Sequence, residues 1–167
     1  DWLRGGEGAD SLDGGDGADW LDYHRSDAAV TVSLGNGTAT GGHAAGDVIS
    51  NFEHLRGSDH ADVLTGDDGN NRLRGLDGAD TLTGGGGADV FVYRVAFDGD
   101  IAFDGDIITD FEGGVDRLHL RGDGVAFGDL TIEDAGANAT VTWNGGILTL
   151  HGVDHAAITA EDFIFVA

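Results

Sequence analysis

Cysteine, proline, methionine and lysine are all missing from the 167 residues of this chain. Without cysteine there is neither a disulfide framework nor thiol chemistry. A small secreted domain would therefore need another means of stabilisation, such as a bound metal. The lack of proline excludes collagen and proline-rich linkers, and no apolar run is long enough to span a membrane. No N-terminal signal peptide pattern is present, and the length suits a single domain.

Positive charge is also scarce, because eight arginines face 31 acidic residues and give a net charge of −23. Such a field repels nucleic acid and anionic lipid, so we expect neither as a partner. The sequence contains no H-E-x-x-H, no G-x-S-x-G and no P-loop, and we expect no carboxylate in an apolar pocket that would raise its pKa for acid catalysis. We therefore expect no catalysis here, although a longer protein containing this region could be a hydrolase, protease or epimerase.

Glycine, in contrast, is abundant, with 31 residues. Divided every nine residues, the stretch 57–92 reads GSDHADVLT, GDDGNNRLR, GLDGADTLT and GGGGADVFV, and the same frame begins at Gly5 and at Gly14. The pattern is Gly-Gly-x-Gly-x-Asp-x-U-x, where U is a large apolar residue. A flexible Gly/Asp linker is the alternative, but linkers do not keep an apolar residue at a fixed eighth place.

The repeat predicts a coil of short strands and tight turns. Glycine at the first, second and fourth places lets the backbone adopt φ > 0, and alternation along each strand turns the eighth residue inward. Two ninemers make one coil, so residues eighteen apart stack at the strand spacing of about 4.8 Å. The predicted inward column is Leu3, Leu12, Leu21, Leu64, Leu73, Leu82 and Phe91.

This nonapeptide resembles the RTX (repeats-in-toxin, hemolysin-type) calcium-binding repeat. The resemblance implies an all-β fold, a calcium-bound parallel β-roll, with several Ca²⁺ ions held between stacked turns by carboxylates and backbone carbonyls. The implied ligands are Asp1, Asp10, Asp19, Glu53, Asp62, Asn71, Asp80, Asp89, Asp106, Asp110 and Asp116. The implied turn residues are Gly5, Gly14, Asp16, Gly57, Asp59, Gly66, Asp68, Gly75, Asp77 and Gly84. Ions would be shared within the stacked pairs Asp62/Asp80, Asn71/Asp89 and Asp1/Asp19.

Between about residues 23 and 50 the nine-residue register breaks. The segment AVTVSL (29–34) alternates like a strand, and Asn36-Gly37 is a hairpin turn signal. We expect a strand pair that projects from the roll, which resumes at Asp47. Residues 51–56 then form a shortened unit in which Glu53 takes the aspartate place and Leu55 the inward place.

Beyond Val92 the strict repeat stops. The sequence AFDGDI occurs twice within 96–107. We interpret this duplication as a mobile acidic loop, or alternatively as a further calcium site. The stretch 106–120 resembles the segment after the repeats of serralysin-type proteases and alginate epimerases, which implies ligand roles for Asp106, Asp110 and Asp116, while His119 departs from that pattern. A hairpin at 141–150 and an apolar strand at 163–166 should form a β cap. We thus divide the chain into a roll (1–92) and a roll extension with cap and secretion signal (93–167).

Some outward positions carry cations or indoles. The frame places four potential cations on one sheet, with Val90 and Val92 beside them: His54, Arg56, Arg72 and Arg74. They are candidate contacts for an anionic polysaccharide, since arginine binds carboxylates bidentately, or they are neutralised by acids of the insertion. Trp2 and Trp20 should stack outward, as a docking surface for another domain or as a platform for sugar.

The resemblance covers nearly the whole chain and also implies a function. It suggests the C-terminal region of a type I-secreted bacterial protein, which starts in mid-repeat, folds on calcium outside the cell, and supports export and stabilisation of an attached upstream domain. The implied partners are the type I secretion apparatus and that upstream domain, and the implied state is an extracellular monomer. The alternatives are a carbohydrate-binding module similar to those of alginate epimerases, or the C-terminal segment of an RTX adhesin.

Overall fold

The computed structural model describes residues 1–94, 103–122 and 124–166. The first AFDGDI copy, with Asp98 and Asp100, lies outside these described residues. The strands are β1 (Trp2–Leu3), β2 (Ser11–Asp13), β3 (Trp20–Asp22), β4 (Thr31–Ser33), β5 (Thr38–Thr40), β6 (Val48–Ser50), β7 (His54–Arg56), β8 (Val63–Thr65), β9 (Arg72–Arg74), β10 (Thr81–Thr83), β11 (Val90–Arg94), β12 (Asp104–Ile108), β13 (Arg117–Arg121), β14 (Thr131–Asp134), β15 (Ala139–Trp143), β16 (Gly146–Leu150) and β17 (Phe163–Val166). Short 3-10 helices span Gly42–Ala44, Phe127–Asp129, His155–Ala157 and Ala160–Asp162.

Outside the two runs β4–β6 and β14–β16, successive strands alternate between two sheets, so the chain winds as a roll. Sheet A has the order β1-β3-β7-β9-β11-β13-β17, and all its neighbours are parallel. Sheet B has the order β14-β15-β16-β12-β10-β8-β4-β5-β6-β2. This arrangement confirms the predicted all-β parallel roll.

The core is the column of eighth-place side chains between the two sheets. Leu55 pairs with Leu73, and Leu64 pairs with Leu82, which confirms that residues eighteen apart stack. Leu21, Leu64, Leu73, Leu82 and Phe91 are fully buried, whereas Leu3 and Leu12 are only partly buried. Each fully buried leucine contributes roughly 1.5–3 kcal/mol of hydrophobic stabilisation.

The insertion is a strand pair, but the prediction that it projects from the roll is wrong. Strand β4 pairs in parallel with β8, matching Val32 to Leu64, and in antiparallel fashion with β5, matching Val32 to Ala39. The side chains of Val32 and Ala39 enter the core and are at most 4% exposed. They are buried because Val32 continues the apolar column, so burial within sheet B is more favourable than exposure. The roll does resume at Asp47, since β6 pairs in parallel with β2.

The C-terminal end covers the last coil on both sheets. Strand β17 pairs in parallel with β13, which places Phe163 beside Leu118, and the β15–β16 hairpin extends sheet B through β12. Phe163 also packs against Phe127, with ring centroids 5.4 Å apart. Within the described ranges, no helix has the length and apolar character needed to cross a membrane.

Candidate metal centre

The turns between the sheets stack into two rows. Row 1 leads from sheet A to sheet B, except at Asp47, which lies between β5 and β6 of sheet B. Row 2 leads from sheet B back to sheet A. The sixth-place residues of row 1 are Asp10, Asp47, Asp62, Asp80 and Asp106. Those of row 2 are Asp19, Glu53, Asn71, Asp89 and Asp116.

Hydrogen bonds join consecutive coils within each row. The backbone N–H of Asp62 donates to Oδ1 of Asp80 at 2.8 Å, and Asp80 donates in the same way to Asp106. Row 2 repeats the arrangement from Asn71 to Asp89 at 2.8 Å and from Asp89 on to the next coil at 2.9 Å. The structure thus brings the predicted pairs Asp62/Asp80 and Asn71/Asp89 together as stacked neighbours.

Two further residues follow the same rule. Glu53 accepts from the backbone N–H of Asp19 at 2.9 Å, as expected for a residue that replaces the repeat aspartate. Asp47 accepts from the backbone N–H of Asp10 at 2.9 Å and from the Tyr23 hydroxyl at 2.8 Å. The sequence reasoning omitted Asp47 from the ligand set, although its place two residues before the inward Ile49 was the signal for it.

The remaining predicted ligands lie near the rows in different ways. The carboxylate of Asp110 accepts from the N–H groups of Gly84 and Gly85, both at 2.9 Å, and so lies against a row 2 turn. Asp116 accepts from Asp89 and from Glu112. The side chain of Asp1 is exposed, and its backbone nitrogen contacts Asp19.

First-place glycines allow the sixth-place side chain to fold back over the turn. A Cβ on Gly75 would lie 1.8 Å from Oδ2 of Asp80, and one on Gly84 would lie 2.2 Å from Oδ2 of Asp89. Equivalent short approaches to the sixth-place side chain occur at Gly5, Gly57 and Gly66, whereas a Cβ on Gly14 would meet the backbone carbonyl of Asn51. The third-place acids Asp16, Asp59, Asp68 and Asp77 are exposed at the surface of the turns.

Burial perturbs the stacked carboxyl groups strongly. Loss of hydration, with a smaller contribution from neighbouring carboxylates, raises the pKa of Asp80 to about 8, of Asp106 to about 7 and of Asp89 to about 6. The sequence alone did not predict these raised pKa values. These groups lie between stacked turns, where tight backbone packing excludes water, and not in an open cleft.

Calcium fits this environment. Oδ2 of Asp10, Asp19, Asp80 and Asp106 is buried without a hydrogen-bond partner, which is costly for an anionic oxygen. Among the described residues no three or more His, Cys, Asp or Glu side chains form a metal-binding group. An ion here would combine stacked carboxylates with backbone carbonyls, an all-oxygen set that Ca²⁺ accepts.

The outer face of sheet A collects nearly all of the positive charge. Seven of the eight arginines lie on it, at alternate positions along the strands: Arg4, Arg56, Arg72, Arg74, Arg94, Arg117 and Arg121. We call this surface the arginine face. Val92 occupies an outward position in the same register, opposite His119, but is only 6% exposed.

Acids neutralise the arginine face only in part, and at its C-terminal end Asp162 approaches Arg117 at 4.0 Å. Asp22 pairs with Arg4 at 2.6 Å and approaches Arg56 at 3.9 Å. Within the described ranges, Arg72, Arg74, Arg94 and Arg121 form no ion pair with a carboxylate. These four arginines are thus not covered by acids of the insertion.

The cations on this face also perturb one another. Burial lowers the pKa of Arg74 to about 10, and the charges of Arg56, Arg94 and Arg121 add to the effect. Burial likewise lowers the pKa of His54. Nδ1 of His54 and Nε of Arg56 are buried without a hydrogen-bond partner.

Aromatic rings continue the arginine face at the N-terminal end of the roll. Trp2 and Trp20 stack with centroids 4.7 Å apart and an interplanar angle of 2°, which confirms the predicted outward pair. His54 lies next along the same column, with its ring centroid 5.0 Å from that of Trp20. Trp2 is 54% exposed.

Comparison with known proteins supports the repeat assignment. The family model of the RTX calcium-binding nonapeptide repeat matches residues 1–25 and 56–91, in four copies. A search of curated proteins gave no match.

The solved structures that are similar to this chain include two epimerase subunits and a lipase. The AlgE6R2 subunit of the Azotobacter vinelandii mannuronan C5-epimerase is 23% identical, with a TM-score of 0.51 and coverage of 99% of this chain and 92% of that one. The AlgE6R3 subunit of the same enzyme is 25% identical, with a TM-score of 0.47 and coverage of 66% and 71%. The extracellular lipase LipA of Serratia marcescens is 16% identical, with a TM-score of 0.41 and coverage of 98% of this chain but 36% of the lipase.

The AlgE6R2 likeness supports the fold, and the family match supplies the identity of the repeats and of their metal. The stacked turns, the buried carboxylates and the family match lead to one conclusion: the stretches 1–25 and 56–91 are RTX calcium-binding nonapeptide repeats, and the cofactor of such repeats is Ca²⁺.

Proposed function

We propose that calcium drives the folding of this chain after export from the cell. The observation that carries the proposal is the set of buried carboxylate oxygens without partners in the two rows of turns. In the absence of a cation the stacked carboxylates lose hydration and repel one another, and both effects raise the pKa of Asp80. Bound Ca²⁺ supplies the compensating charge and the missing oxygen contacts. Because the ion binds the folded state, its binding free energy adds directly to stability.

This linkage gives the chain a role in secretion. Extracellular calcium modules bind with a Kd on the order of 10⁻⁴–10⁻³ M, far above cytosolic calcium, so the chain stays unfolded until it leaves the cell. The proposed division is a calcium roll (1–92) and an extension (93–167) that caps the roll and carries the type I export signal. The folded roll, an extracellular monomer, then stabilises an attached upstream domain.

Calcium-dependent folding can be tested on the isolated chain. Circular dichroism in chelator should show little β-structure, and millimolar calcium should restore the β spectrum together with a cooperative melt. Magnesium at the same concentration is the control, because it demands a tighter octahedral geometry. A chain that keeps its β spectrum and cooperative melt in chelator contradicts the proposal.

We propose a second activity, binding of anionic polysaccharide on the arginine face. It is supported by the four arginines without carboxylate partners and by the buried Nε of Arg56, which still lacks an acceptor. Carboxylates spaced along a uronate chain could pair with arginines on successive strands, about 4.8 Å apart. Each exposed pair contributes only about 0.2–1 kcal/mol, so visible binding requires a multivalent polymer.

Alginate is a suitable probe for this activity. In calorimetry at low salt with calcium present, the chain should bind alginate, and replacing Arg56, Arg72 and Arg74 together by alanine should abolish binding. Arg25→Ala is the matched control, because Arg25 is the one arginine outside the arginine face. Equal loss in the control and the triple variant, or no binding by the wild type, refutes the second activity.

A further inference from the structure

The turns of the roll fall into two conformational groups. In turns 5–10, 14–19, 75–80 and 84–89 the second residue has a positive φ: Gly6 (94°), Gly15 (85°), Leu76 (91°) and Gly85 (98°). We call these the open turns. In turns 57–62, 66–71 and 111–116 the second residue lacks a positive φ, and its N–H donates to the sixth-place side chain of the same turn. We call these the closed turns.

The difference decides what the sixth-place oxygen meets. In a closed turn the backbone N–H of the second residue donates to the sixth-place side-chain oxygen. Ser58 donates in this way to Asp62 at 2.5 Å, and Asp67 donates to Asn71 at 2.7 Å. In three of the four open turns, at Asp10, Asp19 and Asp80, the Oδ2 atom is buried and has no partner. A hydrogen-bond donor thus takes the place of a cation in the closed turns.

Additional donors complete the closure of the turn at Asp62. Its Oδ1 accepts from the Ser58 hydroxyl at 2.8 Å and from the backbone N–H of Val30 at 2.7 Å. Val30 occupies the sixth place in the neighbouring strand of the insertion, and its side chain offers no oxygen. An ion between these two coils would therefore find one carboxylate, already satisfied, and an apolar side chain.

The turn at Asn71 is closed by its own amide. Nδ2 of Asn71 donates to the backbone carbonyl of Glu53 and to the Asp67 carboxylate, both at 3.0 Å. Two oxygens that could ligate a cation are thus already bound to an N–H donor. The coil 57–71 is closed on both rows, at the level where β4 and β5 enter sheet B.

We propose that the coil 57–71 holds no calcium of its own, and that the ion at Asp80 is shared with Asp106 and not with Asp62. The inference rests on the proposed function and refines it. The roll then consists of two calcium-loaded blocks, one around Asp10 and Asp19 and one around Asp80 and Asp106. A coil closed by hydrogen bonds joins them.

Counting bound calcium in the full chain tests this inference. At saturating calcium, equilibrium dialysis with elemental analysis should give the same number of ions for Asp62→Asn as for the wild type, and one ion fewer for Asp80→Asn. Ser58→Gly removes the hydroxyl donor and permits a positive φ, so it should add one ion. Leu76→Gly is the matched control, since it makes the corresponding change in a turn that is already open and should leave the count unchanged.

Two results overturn the inference: loss of an ion in Asp62→Asn, or an unchanged count in Ser58→Gly. Circular dichroism in calcium confirms that each variant has folded before its ions are counted. These results differ from failure of the proposed function, in which the wild-type chain itself binds no calcium and folds equally well in chelator.

Discussion

Acid should partly replace calcium in folding this chain. Burial raises the pKa of Asp80 from 3.8 to about 8, so the folded metal-free roll holds a proton that the unfolded chain has released at neutral pH. For a carboxyl group whose folded pKa is raised, the favourable contribution is complete below pH 3.8. It is lost progressively as the pH rises towards 8. Each pH unit in this window changes the free energy of unfolding by about 1.4 kcal/mol per proton. Between pH 8 and pH 5, Asp80 alone should therefore stabilise the metal-free fold by about 4 kcal/mol.

Circular dichroism in chelator between pH 8 and pH 5, with urea unfolding at each pH where the chain is folded, measures this effect. Asp80→Asn is the control variant, because an amide does not titrate and should flatten the pH dependence. In saturating calcium the dependence should disappear or reverse, since the ion stabilises the ionised carboxylates and protons compete with it. Stability in chelator that rises with pH, or an Asp80→Asn variant with an unaltered slope, would refute the reasoning.

Three further outcomes are expected. Gly75→Ala should raise the calcium concentration at the folding midpoint, because its Cβ would lie 1.8 Å from the Asp80 carboxylate, whereas Gly128→Ala, with no atom within 4 Å of its Cβ, should not. Leu73→Ala should destabilise the calcium-loaded roll by about 2–5 kcal/mol in urea unfolding, since a fully buried side chain leaves a cavity; a loss below 1 kcal/mol would show that the column collapses freely. Deleting residues 158–167 removes β17 and exposes the edge of β13, so folding should need more calcium, and an unchanged requirement would mean that this end is no cap.

The repeat made much of the fold predictable. A fixed nine-residue period determines which side chains point inward and which residues stack on one another. The stacking of Leu64 on Leu82, for example, follows from their separation of eighteen residues. The sixth-place ligands follow from the same count. Glu53 could be placed because the residues on either side of it kept the register.

Three features could not be predicted, the first two because they depend on contacts distant in the chain. The alternation in AVTVSL fits an exposed hairpin as well as a buried one, and only the match of Val32 to Leu64 selects the sheet. The arginine face was seen only in part, because Arg94 and Arg121 become neighbours through a step of 27 residues, outside the period of eighteen. The closed turns depend on backbone φ at Ser58 and Asp67, which no spacing reveals.

The arginine face gives this acidic molecule a pronounced electric dipole. The net charge of −23 means that at long range an anionic surface repels the chain as a whole. Within a Debye length of about 8 Å at physiological salt, the nearest charges dominate, and the sign of the force depends on which side is turned towards the surface. The electric field of the anionic surface therefore acts on the molecule chiefly by rotating it. It selects one orientation, with the outer face of sheet A towards the anionic layer and the acidic turns away from it, before any specific contact forms.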